Sequence, residues 1–409
     1  MTAAMPTELV GTLRLPGCIH FGFGARRQLP ALVTPHGERV LAVVDPFLLA
    51  TPAVRDVLAA LEAAGLSVEV ISDIQPELPV GTLGAAGDAA RRFGPDAVLA
   101  IGGGSALDAA KAIALLAAHG GPLERYYGEN AVPGPVVPVV AVPTTAGTGS
   151  EATPVAVVSD PARELKVGIS SPHLVPVAAV VDPELTLGAP PSVTAHAGID
   201  ALVHAVESFT ARPLAPDWAG ELPVFTGRNA LVDPLALEAA ARLGRWLPVA
   251  VADGGSREAR EQVALASLLG GMAFGPTGTH LSHALQYPIG AMTKTPHGLG
   301  TGLLLPYVLE AIRGDSATAE RIGRIAVALG STSADPAGRV DDAIAAVRGL
   351  NRSIGLPPSL AAIGVERDQL PRIAELGMRS ARLVGISPVE AGPELLRRIL
   401  ERAHAGAIT

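Results

Sequence analysis

The sequence predicts an α/β domain followed by an all-helical domain, and three observations support this prediction. In the first half, short β-branched runs alternate with helical segments, a pattern typical of a parallel sheet covered by helices on both faces. Beyond about residue 188 the β signal fades and the apolar periodicity becomes helical. The chain has 409 residues, 48% of them hydrophobic and 17% charged, so it is long and apolar enough for two cores.

The elements of the first half follow in order along the chain. Strands are predicted where β-branched residues form short apolar runs, at 40–45, 67–72, 97–104, 136–145 and 178–185. Helices are predicted between the first three strands, where apolar residues recur at helical spacing, at 51–65 and 82–94. We therefore predict a boundary near residue 188, with an α/β domain at 1–187 and a helical domain at 188–409.

Composition excludes several classes of partner. The net charge is −8 and no basic run occurs, so nucleic acid is not an expected partner. The apolar runs are far shorter than the roughly 20 residues that span a bilayer, so no membrane segment is expected. The single cysteine, Cys18, cannot form an internal disulfide, and the first residues lack the pattern of a signal peptide. A cytoplasmic location is therefore expected.

A glycine turn joins a predicted strand to a predicted helix in "AIGGGSALDAAKAIAL" (100–115). Glycines allow the backbone to approach a ligand closely, and the following helix start offers free N–H groups, so the turn suits a pyrophosphate. The alternative is a tight turn in which Ser105 is the N-cap. Asp108 and Lys111 are expected to decorate the first turns of the helix, although Lys111 could reach a ligand.

Two further features favour a dinucleotide as the ligand of this domain. Asp45 ends a predicted strand, where a carboxylate can accept hydrogen bonds from a ribose diol and repel a 2′-phosphate. The segment "VPTTAGTGSE" is a second strand with a hydroxyl-rich turn, in which Thr144, Thr145 and Thr148 could donate to phosphate or nicotinamide. The alternatives are an ordinary loop aspartate and turn-capping threonines.

Two segments of the second half indicate a metal site. In "GIDALVHAVES", Asp200 and His204 stand four residues apart, so both side chains project from one face of a helix. The segment "HLSHALQYPIGAMTKTPHG" holds three of the ten histidines of the chain, including His283 and His297. One carboxylate and three imidazoles suit Fe(II) or Zn(II) and are poor ligands for calcium or magnesium. Spacing alone does not exclude His196 or His280.

Five motifs in this order resemble those of the iron-containing (group III) alcohol dehydrogenases, relatives of glycerol dehydrogenase and dehydroquinate synthase. They are "GGGSALDAAKA", "PTTAGTGSE", "GIDALVHAVESF", "NALVDPLALEAA" and "HALQYPIGAMTKTPHG". The resemblance implies a dehydroquinate synthase-like fold, with an N-terminal NAD(P)-binding α/β domain, a C-terminal helical domain and a metal in the cleft between them. Many family members are dimers or larger rings, so the resemblance also implies a homodimer or higher homo-oligomer.

The resemblance also assigns roles to particular residues. By motif match the metal ligands are Asp200, His204, His283 and His297, in place of His196 and His280. The cofactor residues that it implies are Gly103, Gly104 and Ser105 at the pyrophosphate, Thr144, Thr145 and Thr148 in the second turn, Lys166 near the ribose, and Asp45, which favours NAD over NADP. The metal that it implies is Fe(II), with Zn(II) as the alternative.

Three departures from the family pattern point to one branch of the family. Tyr287 stands where many members carry a histidine that is proposed to help relay protons, Glu77 stands where asparagine is usual, and the loop at 211–233 is longer than the common one. These features and His280 resemble the hydroxyacid-oxoacid transhydrogenases, which oxidise 4-hydroxybutyrate and reduce 2-oxoglutarate on a retained nicotinamide.

The function implied by the resemblance is reversible hydride transfer between a primary alcohol or hydroxy acid and NAD, with the aldehyde or oxo acid as the product. The alternative is a transhydrogenase that retains its NAD. Tyr287 would carry the proton in either reaction, or would only pack and shape the pocket. Two other classes are a cyclase like dehydroquinate synthase, which the Asp-His-His-His set disfavours, and a noncatalytic nucleotide-binding module.

Overall fold

A computed structural model of the protein describes residues 9–75, 78–163 and 165–407, and Glu77 lies outside them. The chain forms two compact units, one at 14–188 and one that combines 189–407 with residues 9–13. Residues 9–13 belong to the helical unit because the amide of Ala230 donates to the carbonyl of Val10 and the Asn229 side chain donates to that of Thr12. The sequence-based division had placed these residues with the sheet, since they carry no periodic pattern of their own.

The α/β unit is built on a six-stranded sheet in which every pairing is parallel. The strands in chain order are β1 (Cys18–Phe21), β2 (Arg39–Val44), β3 (Ser67–Ile71), β4 (Ala97–Gly102), β5 (Gly128–Glu129), β6 (Val139–Pro143), β7 (Val155–Asp160), β8 (Leu165–Ser170) and β9 (Ala178–Val181). The large sheet has the order β1-β9-β6-β4-β2-β3, and β5, β8 and β7 form a second, smaller sheet. The predicted α/β architecture is confirmed, although the sequence patterns did not predict β1, β5, β7 or β8.

Helices cover both faces of the large sheet, as the continuous apolar strands require. The helices of this unit are α1 (Leu29–Val33), α2 (Pro52–Ala63), α3 (Val80–Phe93) and α4 (Gly104–His119). Alternate residues of β2 enter two different cores: Val40 and Val44 join the core that holds α1 and α2, while Leu41 and Val43 join the core that holds α3 and α4. Because both faces are buried, the strand shows a run of apolar residues instead of alternation.

The strand order creates a crevice at the carboxyl ends of β2 and β4. From β2 the chain moves to β3 at the edge of the sheet, and from β4 it moves to β6 on the other side. Two neighbouring strands whose connections leave in opposite directions define a topological switch point, which is where open α/β sheets bind ligands. Asp45 follows β2 and Gly103 follows β4, so both lie at this point.

The second unit is helical, which confirms the predicted fold of this part of the chain. Its helices are α5 (Pro191–Thr210), α6 (Asp233–Ala252), α7 (Arg257–Thr277), α8 (Leu281–Thr293), α9 (His297–Ile312), α10 (Ser316–Ala328), α11 (Pro336–Ser353), α12 (Leu370–Met378), α13 (Ala381–Gly385) and α14 (Pro393–Ala405). Helix α5 packs against α6, α7 and α9, and every residue in 198–210 is buried. Polar side chains in that stretch therefore need partners inside the protein. Among the described residues, no helix is both long enough and apolar enough to cross a membrane.

The long loop between α5 and α6 is anchored to the helical unit. The amide of Arg212 donates to the carbonyl of Ile386, and that of Thr226 donates to the carbonyl of Pro276 at the end of α7. Phe225 is buried with only 3% of its surface exposed, whereas Trp218 is 64% exposed. Residues 224–227 of the loop are therefore buried in the helical unit, and the segment around Trp218 faces solvent.

Candidate active site

A buried cluster of one carboxylate and two imidazoles lies in the helical unit. Asp200 and His204 stand one turn apart on α5, and His283 lies in the first turn of α8. One potential ligand atom of each of these residues lies within 4.8 Å of those of the other two. His297, the first residue of α9, approaches the cluster from a more exposed position, with 27% of its side chain accessible. The four predicted ligands therefore converge from three different helices.

The distances within this cluster fit donors that share a metal ion. The Nε2 atoms of His204, His283 and His297 lie 3.8, 3.9 and 3.7 Å from the Asp200 carboxylate oxygens. These separations are too long for hydrogen bonds, but donors placed about 2.0–2.2 Å from one metal lie roughly 3–4 Å from each other. The Nε2 atom of His283 is buried and has no hydrogen-bond partner among the described residues. A buried nitrogen in that state is explained by a ligand that the carboxylate and imidazoles would share.

Two buried carboxylates hold this cluster together from α5. The hydroxyl of Thr301 donates to Asp200 Oδ1 at 2.8 Å. Burial alone would raise the pKa of Asp200, but the three neighbouring histidines and this hydrogen bond hold that pKa below its ordinary value. Glu207 is fully buried, and its Oε2 accepts from His283 Nδ1 at 2.7 Å.

Glu207 is a residue of this region that the sequence-based interpretation missed. Asp200, His204 and Glu207 occupy one helical face at spacings of four and three, which was the available signal. Burial would raise the pKa of Glu207, yet His280, His283 and the Ser282 amide lower that pKa to about 2. The carboxylate is therefore ionised and accepts hydrogen bonds only, so Nδ1 of His283 carries the proton and Nε2 presents a lone pair toward Asp200.

His280 and His196, which spacing alone did not exclude, lie outside the cluster. His280 is the N-cap residue of α8, and its Nε2 lies 2.9 Å from the Thr210 hydroxyl. Burial lowers the pKa of His280. His196 is half-buried one turn before Asp200, and its carbonyl faces Gly298 of α9. Neither is among the histidines that approach Asp200.

Glycines near the start of α9 allow His297 to reach the cluster. A Cβ atom on Gly298 would lie 2.0 Å from the His196 carbonyl oxygen, and one on Gly302 would lie 2.5 Å from Ile199 Cγ1. Both contacts are with α5, and both are shorter than packed atoms tolerate. The two helices therefore approach closely only because these positions carry no side chain.

Tyr287 lies one turn after His283 on α8 and is half-buried. Its ring and that of His297 have centroids 5.9 Å apart and an interplanar angle of 30°. Tyr287, which departs from the family pattern, therefore borders the cluster on the side of His297, the most exposed residue of the cluster.

In the α/β unit, the glycine turn lies against the tip of β2. Gly103 is the N-cap residue of α4, so Ser105 lies inside the helix and is exposed, instead of capping it. A Cβ on Gly102, whose φ is +157°, would lie 2.9 Å from the Asp45 Cβ. Asp45 accepts a hydrogen bond at Oδ1 from the Phe47 amide at 2.9 Å. The structure thus brings the predicted ribose-binding acid beside the predicted pyrophosphate turn.

The second predicted turn packs directly on the first. Strand β6 pairs with β4, and the Thr144 amide donates to the Gly102 carbonyl. A Cβ on Gly103 would lie 3.2 Å from Thr145 Oγ1, and one on Gly104 would lie 2.6 Å from Thr148 Cγ2. A side chain at Gly104 would therefore force Thr148 to shift, whereas one at Gly103 would need only a small adjustment of Thr145.

Lys111 and Asp108 hold the second turn in place and are not surface decoration, which corrects the expectation from sequence. Lys111 has no exposed surface, and its Nζ donates to the carbonyls of Ser150, Thr153 and Val155 at 2.6–2.9 Å. Asp108 accepts from the Ser150 hydroxyl at 2.6 Å. Burial lowers the pKa of Lys111 to about 8, although the charges of Asp108 and Glu151 oppose this shift.

Lys166 lies on β8 in the smaller sheet, close enough to Asp108 to affect its ionisation. Burial raises the pKa of Asp108, and the charges of Lys111 and, more weakly, Lys166 act in the opposite direction. Lys166 is therefore near the loop that Asp108 holds, whereas the other predicted cofactor residues cluster at β2, β4 and β6.

A parallel sheet with a glycine turn at its switch point and a helical unit with a buried Asp–His cluster together define a nucleotide- and metal-dependent class of enzyme. Two family models identify the class more closely. The model described as "Iron-containing alcohol dehydrogenase" matches residues 16–183, and that described as "Fe-containing alcohol dehydrogenase family, C-terminal" matches residues 194–404. The chain belongs to the iron-containing alcohol dehydrogenase family and is an oxidoreductase.

Relatives support this assignment over nearly the whole chain. The NAD-dependent methanol dehydrogenase of Bacillus methanolicus is 35% identical over 88% of this chain and 91% of its own length. The long-chain-alcohol dehydrogenase 1 of Geobacillus thermodenitrificans is 35% identical over 98% of both chains. A crystal structure of a 1,3-propanediol oxidoreductase superposes with a TM-score of 0.89 at 30% identity, covering 96% of this chain and 100% of its own.

Proposed function

We propose that the protein is a metal-dependent alcohol dehydrogenase that transfers a hydride reversibly between a primary alcohol and NAD. The observation that carries the proposal is the convergence of three imidazole Nε2 atoms on the Asp200 carboxylate at 3.7–3.9 Å. Asp200, His204, His283 and His297 would hold a divalent transition metal, and this donor set accepts Fe(II) or Zn(II). Iron is favoured because both family models are of iron-containing enzymes.

The bound metal would supply Lewis acidity toward the alcohol or carbonyl oxygen, and NAD would supply the hydride acceptor. The protein's own residues do the remaining work. Buried Asp200 and His204 are fixed on one helix, and Thr301 holds the carboxylate by a hydrogen bond. Gly103 and the first turn of α4 offer backbone N–H groups to a pyrophosphate, because glycine leaves the helix start open.

The proposed function is tested by metal analysis followed by turnover assays. Protein reconstituted with Fe(II) or Zn(II) is expected to oxidise NADH with a small aldehyde such as acetaldehyde, glycolaldehyde or succinic semialdehyde, and chelation is expected to abolish this activity. Protein that binds neither metal and shows no activity after reconstitution would instead be a noncatalytic nucleotide-binding module.

The same assay distinguishes a dehydrogenase from a transhydrogenase with retained NAD. We expect absolute dependence on added cofactor, in line with the three relatives, two of which are named dehydrogenases and one an oxidoreductase of alcohols. Turnover of 4-hydroxybutyrate with 2-oxoglutarate in the absence of free NAD would establish the transhydrogenase.

Asp45 is proposed to select NAD over NADP. Asp45→Asn keeps an oxygen for the Phe47 amide but removes the charge, so the preference for NAD should fall by about 10- to 100-fold, since a hydrogen bond to a charged group contributes about 1.5–3 kcal/mol. The measurement is the ratio of kcat/KM for the two cofactors. Asp88→Asn, an exposed aspartate on α3, removes the same charge elsewhere in the unit and should leave the ratio unchanged. An Asp45→Asn ratio equal to that of the wild type would show that Asp45 is an ordinary loop residue.

Tyr287 is proposed to pack beside His297 and to shape the pocket, with no role in proton transfer. Tyr287→Phe keeps the ring and removes the hydroxyl, so metal content and most of the turnover should be retained. A residue that carries the proton contributes about 10²–10⁴-fold to the rate. A fall in kcat of more than roughly a hundredfold, with metal content unchanged, would make Tyr287 the proton carrier.

A further inference from the structure

Three N–H donors from one end of α8 converge on the buried carboxylate of Glu207. The Ser282 amide donates to Oε1 at 2.6 Å, and the His280 amide donates to Oε2 at 2.8 Å. The third donor is Nδ1 of His283, which is 2.7 Å from Oε2. Helix α8 has no capping hydrogen bond from the side chain of its own N-cap residue, His280. Glu207 of α5 therefore caps the amino end of α8 from outside the helix.

The same carboxylate fixes two properties of His283. It holds the proton on Nδ1, because two main-chain amides that can only donate face its two oxygens, so the carboxylate acts as the acceptor toward His283. It also fixes the first turn of α8, in which His283 is the third residue, so that Nε2 lies 3.9 Å from Asp200 Oδ1. The Glu207 carboxylate thus both caps α8 and orients the His283 ring, and it lies on the same helix as Asp200 and His204.

We propose that Glu207 is the positioning residue of the metal site, which docks α8 onto α5 and sets the tautomer and direction of His283 for the ligand cluster. This inference rests on the metal site proposed above. It assigns to Glu207 no contact with substrate or cofactor. Partners that orient a ligating histidine in this way change metal affinity by about 10- to 100-fold when they are replaced.

Glutamine at position 207 cannot replace the carboxylate, although it has the same shape. The carboxylate offers two oxygens to these three N–H groups. In glutamine, an NH2 group takes the place of one of the two oxygens. At the Oε1 position the NH2 lies near His280 Nδ1, which is 3.3 Å from that oxygen, but it also faces the Ser282 N–H, and this buried donor is left without an acceptor. At the Oε2 position the NH2 faces the His280 N–H and donates to His283 Nδ1, which moves the ring proton to Nε2 and blocks the lone pair that would bind a metal.

The test uses Co(II) as the probe on the full-length protein. Titration of wild type and Glu207→Gln with Co(II) is expected to show a 10- to 100-fold weaker affinity in the variant, with a changed visible absorption of the bound ion. Glu207→Asp retains the charge but withdraws the carboxylate by one methylene, and its affinity is expected to lie between the two. If circular dichroism shows that Glu207→Gln is unfolded, the Co(II) affinity of Glu207→Asp still tests the positioning role of Glu207.

A matched control separates positioning from loss of a helix cap. Asp315 caps α10 by accepting from the Thr318 amide at 2.8 Å, so Asp315→Ala removes a cap in the same unit. It should leave the Co(II) affinity and spectrum unchanged. Wild-type affinity and spectrum in a folded Glu207→Gln or in Glu207→Asp would overturn the inference while leaving the proposed function intact. Failure of the wild-type protein to bind Co(II) would overturn the proposed metal site, and this inference with it.

Discussion

Asp200→Asn is expected to remove the metal and to lower turnover by roughly a thousandfold, which corresponds to about 4 kcal/mol of lost transition-state stabilisation. Asp200 supplies the one carboxylate that all three imidazoles face, and asparagine keeps its size but not its charge. An amide oxygen can still accept from Thr301, so the fold of α5 should survive. The measurements are metal content after dialysis and kcat for NADH oxidation.

The control for this variant is His196→Ala, one turn earlier on the same helix. His196 is half-buried, and it faces Gly298 through its backbone carbonyl. Truncation of the imidazole therefore leaves this contact in place. Metal content and turnover should stay close to those of the wild type. Equal metal losses in both variants would mean that α5 tolerates no change, and full metal content in Asp200→Asn would refute the proposed ligand set.

Gly298→Ala is expected to destabilise the protein by about 2–3 kcal/mol and to weaken metal binding at least tenfold. The added methyl group would lie 2.0 Å from a backbone carbonyl of α5 and 2.9 Å from the Asp200 Cβ. Because a backbone carbonyl cannot rotate away as a flexible side chain can, α9 must move outward, and His297 moves with it. Urea unfolding gives the stability change, and Co(II) titration gives the change in affinity.

Gly349→Ala provides a control in which the free energy of unfolding is expected to rise instead of fall. Gly349 lies inside α11, and a Cβ there meets no atom within 4 Å. Alanine should therefore stabilise the helix by about 0.5–1 kcal/mol through its better helix propensity, with no change in Co(II) affinity. If Gly298→Ala also stabilised the protein, then α5 and α9 would not be packed as closely as described.

The fold class and the residues of the predicted ligand set could be obtained from the sequence, but for different reasons. Alternation of strands and helices is a local pattern, and it indicates a parallel sheet wherever it occurs. Asp200 and His204 lie on one helix, where a spacing of four guarantees proximity. Joining them to His283 and His297 needed the resemblance of the motifs to a family, because spacing left His196 and His280 as alternatives.

Lys111 shows where a local pattern was misinterpreted. It lies within an almost continuous apolar run, "AAKAIALLAA", and in the structure α4 is buried on nearly all sides. A charged residue in such a helix must have buried partners. Its partners are carbonyls of the loop at 150–155, about forty residues further on, which no helical pattern in 104–119 could indicate.

The parallel sheet, the helical second half, the glycine turn and the helical spacing of Asp200 and His204 are all predictable from local sequence, because each depends on residues close together in the chain. Three other contacts are seen only in the folded chain: Asp45 lies against Gly102, Gly298 lets α9 pack closely on α5, and Glu207 binds the amino end of α8. Those contacts join residues that are distant in sequence. They depend on strand order and on how closely helices pack, and neither property is encoded in any single segment.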